Sequence, residues 1–377
     1  MYVAVKGGEK AVKNSQRLVA KKRRGDLCVQ KISVDQITNQ LGLGVDRVMA
    51  EGSLYDVTAA AMAIQQAQGD MTEAIFLVRA FRTTLKRFGN SIPVQTTKMT
   101  AIRRVSGIFK DIPGGQVLGP TYDYTHRLIA SDQDHAPDPP CEQDTDTASA
   151  PPDQTAAGDG ISPLPGELPR VIDLLQAQGL LQQDETTSFG DTAEDLTRQP
   201  LAFPVSRNLR LQTLARGDEG FILGTAYSLQ RGFGLDRHPF LGELKVGYVA
   251  VRYTPPELGF DIHVGRMKLT ECVMVNRQND AARKAAGFET GYGLVFGQNE
   301  RKAMSMSLLD RSLAGEKNTG KNGYPARDPE FILSHCDNVE SSGFVQHLKL
   351  PHYVDFQSEL VFIRNRPKDH TPDKGNP

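Results

Sequence analysis

Four clusters in the sequence combine residue types that could do chemistry. His347 and His352, in the segment QHLKLPHYVDF, offer two imidazoles, a donor type suited to zinc or a similar divalent ion. Their spacing puts them on different faces of a helix and on opposite faces of a strand. Pro351 removes that objection, because it forces Leu350 into an extended conformation and can start the next helix, so a bend can bring the rings together. Asp355 and His335 are the nearest further ligands, and two imidazoles alone leave a site incomplete.

The second cluster is KDIPGGQVLGPTYDYTHRL, residues 110–128. Gly114, Gly115 and Gly119 permit backbone turns that other residues resist, and Lys110, Tyr122, Tyr124, His126 and Arg127 crowd donors around them. That composition suits an anionic ligand, and equally a Gly/Pro turn with core tyrosines. Gly114 and Gly119 are spaced as at the start of a P-loop, but Pro120 and Thr121 stand where Lys and Ser/Thr should follow, which removes the ATPase reading.

In ARGDEGFILGTAYSLQRGFGLDRHPF, residues 215–240, Asp218 and Glu219 either cap a helix running to about Arg231 or supply a working carboxylate. Arg231, Arg237 and His238 lie around Gly232 and Gly234, and such cations can hold phosphate oxygens through charge-assisted hydrogen bonds. In GYGLVFGQNERKAMSMSLLDR, residues 291–311, a strand-like run leads into a helix from about Asn299. Arg301 and Lys302 then fall in its first turn, where the helix dipole disfavours cations unless an anion is present. The glycine spacing there is not a dinucleotide fingerprint.

The elements that must carry these clusters are helical at first. Residues 33–89 read as three short helices, the first opened by Ser33 to Gln36 and the third by Asp70 to Glu73, with Ile75, Val78, Leu85 and Phe88 near one face and Gly89 as the stop. The basic run Lys21 to Arg24 before them reads as a solvated face. From Ser131 to about Gly160 eight acidic residues occur without a Lys or Arg, among five prolines, so this stretch is expected to be a flexible linker. Beyond it, KVGYVAVRY (245–253) and FDIHVGRMKL (260–269) are the strongest strands. The expected class is therefore α+β: a mainly helical region over 1–130, a linker over 131–163, a mixed α/β domain over 164–365 and a polar tail over 366–377, neither Rossmann nor P-loop.

The 377 residues include 44 Lys and Arg against 45 Asp and Glu, so no global field favours nucleic acid or an anionic membrane, and any anion site must be local. With no long apolar run and no secretory-type start, the expected location is the cytoplasm. The four cysteines are isolated from one another, so they cannot by themselves hold an iron–sulfur cluster.

The opening MYVAVKGGEKA and the segments VDRVMAEG, EAIFLVRAFRTTL, KDIPGGQVLGPTYDYTHRL, ARGDEG, AYSLQRGFG, TECVMVN, GYGLVFGQNERKAM and HLKLPHYVDFQ together resemble the PhnI family of the carbon–phosphorus lyase pathway, in the same order, over roughly 1–130 and 196–360. The acidic stretch and the tail after Arg364 depart from it. The resemblance implies a role in α-D-ribose 1-methylphosphonate 5-triphosphate synthesis, in which a phosphonate replaces the purine at C1 of ATP or GTP, and nucleosidase action by the subunit alone. It also implies partners of the PhnG, PhnH and PhnJ types with the ABC-type PhnL and PhnK proteins, and zinc on His347 and His352 near the PhnJ-like subunit. Glycosyl transfer needs a carboxylate to stabilise an oxocarbenium-like state, for which Asp218, Glu219 and Glu271 are the candidates. The competing expectation is a scaffold subunit without chemistry of its own.

Overall fold

A computed structural model describes residues 8–129, 167–181, 194–231, 238–277, 287–314 and 324–366. The chain forms two compact units, one of residues 30–337 and one of residues 1–29 with 338–377.

The larger unit begins with four helices, α2 (Val34–Gln40), α3 (Gly42–Gly52), α4 (Val57–Gln66) and α5 (Met71–Thr84), where three were expected. Ser33 and Gln36 close a reciprocal capping box on α2, while Asp56 and Asp70 cap α4 and α5. Ile37, Val48, Met49, Ala60, Ala61, Ile64, Ala74, Ile75 and Val78 are buried along them. The last helix stops at Thr84 instead of running to Gly89: Leu85 is extended, and Leu85 and Phe88 are exposed. The chain instead turns so that Ile92 N donates to Arg252 O at 2.8 Å.

The sheet is antiparallel, in the order β1 (Thr100–Val105), β2 (Phe240–Tyr253), β3 (Ile262–Arg277), β4 (Phe288–Phe296). Both expected strands are present and run longer than their apolar patterns. Because β1 pairs with β2, the sheet joins residues 100–105 to the later half of the chain, so contacts do not divide near residue 130. Leu244, Cys272 and Gly293 stand opposite one another on one face. That face packs on α9 (Glu300–Ser312), where Ala303, Met306 and Leu309 meet Leu244, Cys272, Met274 and Val295. A Cβ on Gly293 would lie 2.1 Å from Ala303 O, so the helix can approach the sheet only over glycine. α7 (Arg207–Arg216), α8 (Glu219–Gln230) and α10 (Pro329–His335) complete this core through Leu214, Ile222, Ala226, Ile332 and Leu333. The other face carries Lys245 and Glu271 and is covered in part by α6 (Val171–Ala177) through Leu175 and Ile172. The mixed helix and antiparallel-sheet content is α+β, as expected.

In the smaller unit the described helices are α1 (Glu9–Arg24), α11 (Asn338–Gln346) and α12 (Tyr353–Asn365), none of which contains a buried residue. α1 was not legible as a helix in the sequence. It ends in the basic run Lys21 to Arg24. No helix among the described residues is long and apolar enough to cross a membrane.

Candidate functional site at the start of α9

After β4 the chain turns at Gly297 (φ +71°), where a Cβ would strike the Asp46 side chain at 2.4 Å. Asn299 then opens α9 without capping it, since its side-chain amide donates to Phe296 O at 2.6 Å. The next residues are the two cations marked by the sequence. Arg301 Nε donates to Glu219 Oε1 at 2.9 Å, and Lys302 Nζ lies 3.7 Å from Glu51 Oε1. The conflict between these cations and the helix dipole is thus met by carboxylates of the chain itself.

Asp218 and Glu219 come from the start of α8. Asp218 is its N-cap: Oδ1 accepts from Phe221 N at 2.7 Å, while Oδ2 accepts from Arg47 Nη2 at 2.9 Å. Arg47 Nε also donates to Glu51 Oε1 at 3.0 Å, and the same oxygen accepts Glu219 N at 3.1 Å. The site is therefore two-layered. Arg301, Arg47, Asp218 and Glu219 form an outer layer open to solvent to different degrees, with Arg301 75% exposed and Glu219 12%. Glu51 and Lys302 form a dry inner layer at 1% and 0%. Burial pushes the Glu51 carboxyl up, against the opposing pull of Lys302 and Arg47, and burial pushes the Lys302 ammonium down. For Arg47 burial pulls downward, but Glu51, Asp218 and Glu219 outweigh it and hold the guanidinium above its ordinary value.

The glycine-rich loop reaches the same helix end by its second half. Arg103 donates to Leu118 O and to Asp123 Oδ2 at 2.7 Å, and its Nε pairs with Glu300 at 3.0 Å. Gln298 Nε2 donates to Pro120 O at 3.1 Å. Tyr122 and Arg127 lie exposed on this stretch, with Arg127 donating to Tyr122 O and to Asp123. The first half of the loop is held elsewhere, by the wholly buried Arg104, which pairs with Glu243 at 2.7 Å and donates to Pro113 O, Gly115 O and Pro169 O. Gly114 takes φ +84° against Leu168 and Arg104, whereas Gly115 has open space beside it, and Lys110 is exposed.

Other expected residues are placed apart. Arg231 sits at the far end of α8 from Asp218, about 18 Å along a 12-residue helix, and donates to Tyr227 OH. His238 is exposed beside Phe240. Arg237 lies outside the described residues. Glu271 is buried in the sheet, where it pairs with Lys245 at 2.7 Å and accepts from Thr96 Oγ1 and Tyr292 OH. Burial and the Glu271 charge push the Tyr292 phenol well above its ordinary pKa.

In the smaller unit, Leu350 is extended and Pro351 follows a short 3-10 turn over His347–Lys349. The bend brings the His347 and His352 ring centroids to 5.6 Å. Each Nδ1 faces a carbonyl oxygen, Phe344 O for His347 and Leu350 O for His352. A metal-ligating imidazole commonly directs its second ring nitrogen at such an oxygen. The pair fits a zinc ion in donor type and in these outer contacts. Among the described residues no group of three potential ligands occurs, so neither Asp355 nor His335 completes it.

Residues 1–370 match the family model for the bacterial phosphonate metabolism protein PhnI. The chain belongs to the PhnI family. It is 53% identical over 371 residues to the Rhizobium meliloti protein named alpha-D-ribose 1-methylphosphonate 5-triphosphate synthase subunit PhnI, covering 98% of this chain and 96% of that one. It is 50% identical over 368 residues to the Escherichia coli K12 protein of the same name, covering 97% and 98%.

Three PhnI-like segments thus converge on the start of α9: ARGDEG, GYGLVFGQNERKAM and VDRVMAEG, with the loop KDIPGGQVLGPTYDYTHRL reaching it by its second half. Arg47 and Glu51 in VDRVMAEG were missed as site residues. A signal existed, because Glu51 falls three residues after Val48, on the stripe that α3 buries, where an acidic side chain requires a partner.

Proposed function

We propose that this PhnI-family protein is a subunit of α-D-ribose 1-methylphosphonate 5-triphosphate synthase, which exchanges the purine of ATP or GTP for a phosphonate at ribose C1. In the exchange a phosphonate oxygen bonds to C1, the bond from C1 to the purine nitrogen breaks with its electron pair leaving on the base, and the base takes up a proton. With water as the nucleophile the same site is a purine nucleotide nucleosidase. The observation that carries the reading is the pairing of two carboxylates with two guanidinium groups in the outer layer at the start of α9, in a chain that matches the PhnI family model over residues 1–370.

Positive charge that develops at C1 calls for a nearby carboxylate. Glu219 fits best, since one of its oxygens keeps no hydrogen bond among the described residues, whereas both oxygens of Asp218 are used. Arg301 and Arg47 are suited to triphosphate oxygens, and Tyr122 and Arg127 on the adjoining loop to the remainder of the nucleotide. Lys110, Gly114, Gly115, Arg231, Arg237 and His238 have less support, because no contact draws them to this helix end. Zinc on His347 and His352 would have coordination positions left for a group from another chain or for a phosphonate oxygen. PhnG-, PhnH- and PhnJ-like subunits and the PhnL- and PhnK-like proteins are the proposed partners.

A second reading, a scaffold subunit, is favoured by one observation: Arg47 and Arg301 are already paired with carboxylates of the chain. Purine release from ATP or GTP by the protein, alone and with its partner subunits and a phosphonate, separates the two. Release that is lost on substituting Arg301 or Glu219 supports the enzyme, and its absence under every condition supports the scaffold.

A further inference from the structure

We infer that Glu51 is a positioning residue, the single acceptor that sets the spacing of the four outer groups at the start of α9. This rests on the reading of that layer as the glycosyl-transfer site. One oxygen, Glu51 Oε1, gathers Arg47 Nε, Glu219 N and the charge of Lys302. Through Arg47 it reaches Asp218, through the α8 backbone it reaches Glu219, and through Lys302 it reaches the turn that carries Arg301.

Three features separate this from ordinary packing. A carboxylate that is 1% exposed is an expensive filler, and apolar groups of similar volume commonly serve as well or better. Its amide contact is to the first residue of α8, so loss of the acceptor frees the turn that holds both candidate carboxylates. Lys302 Nζ, fully buried, makes no hydrogen bond among the described residues. Its role beside Glu51 is therefore charge compensation, and the geometric work falls to the carboxylate.

The test compares two variants, Glu51→Gln and Glu51→Ala, both in a Lys302→Met background so that neither leaves a buried unpaired cation. Gln keeps an acceptor for Arg47 and for Glu219 N, and Ala does not. The Ala variant should release purine with kcat about 10- to 100-fold below the Gln variant, the scale of a misplaced catalytic group, while KM for ATP stays within about threefold. Hydrogen exchange at the Glu219 and Gly220 amides should be faster in the Ala variant by about tenfold or more. Equal kcat and equal exchange in the two would overturn the inference. If the parent protein releases no purine, the enzyme reading fails, and the exchange rates still decide whether Glu51 fixes the α8 turn.

Discussion

Lys302 Nζ stands 3.7 Å from Glu51 Oε1 without a hydrogen bond among the described residues, although both side chains are almost wholly sealed from solvent. The relationship links stability to pH. A carboxyl raised by burial favours folding below its unfolded pKa and loses that contribution as pH rises through the folded value. A lysine lowered by burial favours folding above its unfolded pKa and loses that contribution as pH falls through its folded value. Between the ordinary values of 4.5 and 10.5 both contributions fade.

Replacing both, Glu51→Gln with Lys302→Met, should therefore leave stability unchanged or raise it by about 1–4 kcal/mol near neutral pH. The gain should shrink as pH falls toward 4.5 and Glu51 takes up a proton. Glu51→Gln alone strands the lysine and should cost about 3–5 kcal/mol. Urea unfolding at the two pH values measures all three, and a double variant weaker than the single one would show that the stranded lysine is not the source of the loss.

The packing of α9 on the sheet gives a contrast between two glycines. Gly293→Ala would place Cβ 2.1 Å from Ala303 O, a clash with backbone that no rotamer relieves, and should destabilise by about 3 kcal/mol or more. Gly224, inside α8 with nothing within 4 Å of its Cβ position, should accept Ala with a gain of about 0.5–1 kcal/mol. Thermal melting of the two variants checks the pair.

Arg104 ties the first half of the glycine-rich loop to the sheet. Arg104→Met strands the buried Glu243 and releases three carbonyls, so a loss of about 3–5 kcal/mol is expected, together with faster proteolysis between residues 110 and 120. Unchanged cleavage there would show that the loop is held by something else.

Changing His347 and His352 together to Ala should lower the zinc content of the assembled complex. The rings lie exposed and their Nδ1 atoms bond only to nearby carbonyls, so the fold of the chain should persist. Undiminished metal content in the double variant would remove the pair as ligands.

Much of this architecture was legible because local signals agreed with tertiary ones. The helix from Asn299, the cap at Asp218 and the bend at Pro351 follow from capping, dipole and proline rules acting over a few residues. β1 was hidden because TAIRRV carries two arginines, whose burial is intelligible only once Glu243, Glu300 and the loop carbonyls are in place. Glu271 looked free in the sequence for the complementary reason: Lys245, Thr96 and Tyr292, which occupy it, arrive from three other segments. Arg47 and Glu51 lay in a helix that read as scaffold. Their meaning depends on Asp218 and Lys302, both more than 160 residues away.

Purine displacement by the outer layer at the start of α9 makes the rate of purine release from ATP by the assembled complex depend on Arg301 and Glu219, and that rate is to be measured for Arg301→Ala and for Glu219→Gln. Glu219→Gln removes the carboxylate placed beside the developing positive charge and should lower the rate by about 10²- to 10³-fold, while Arg301→Ala removes a triphosphate contact and should raise KM for ATP by about tenfold or more, with subunit assembly intact in both. Release with parental kinetics from either fully assembled variant would contradict that role of the layer.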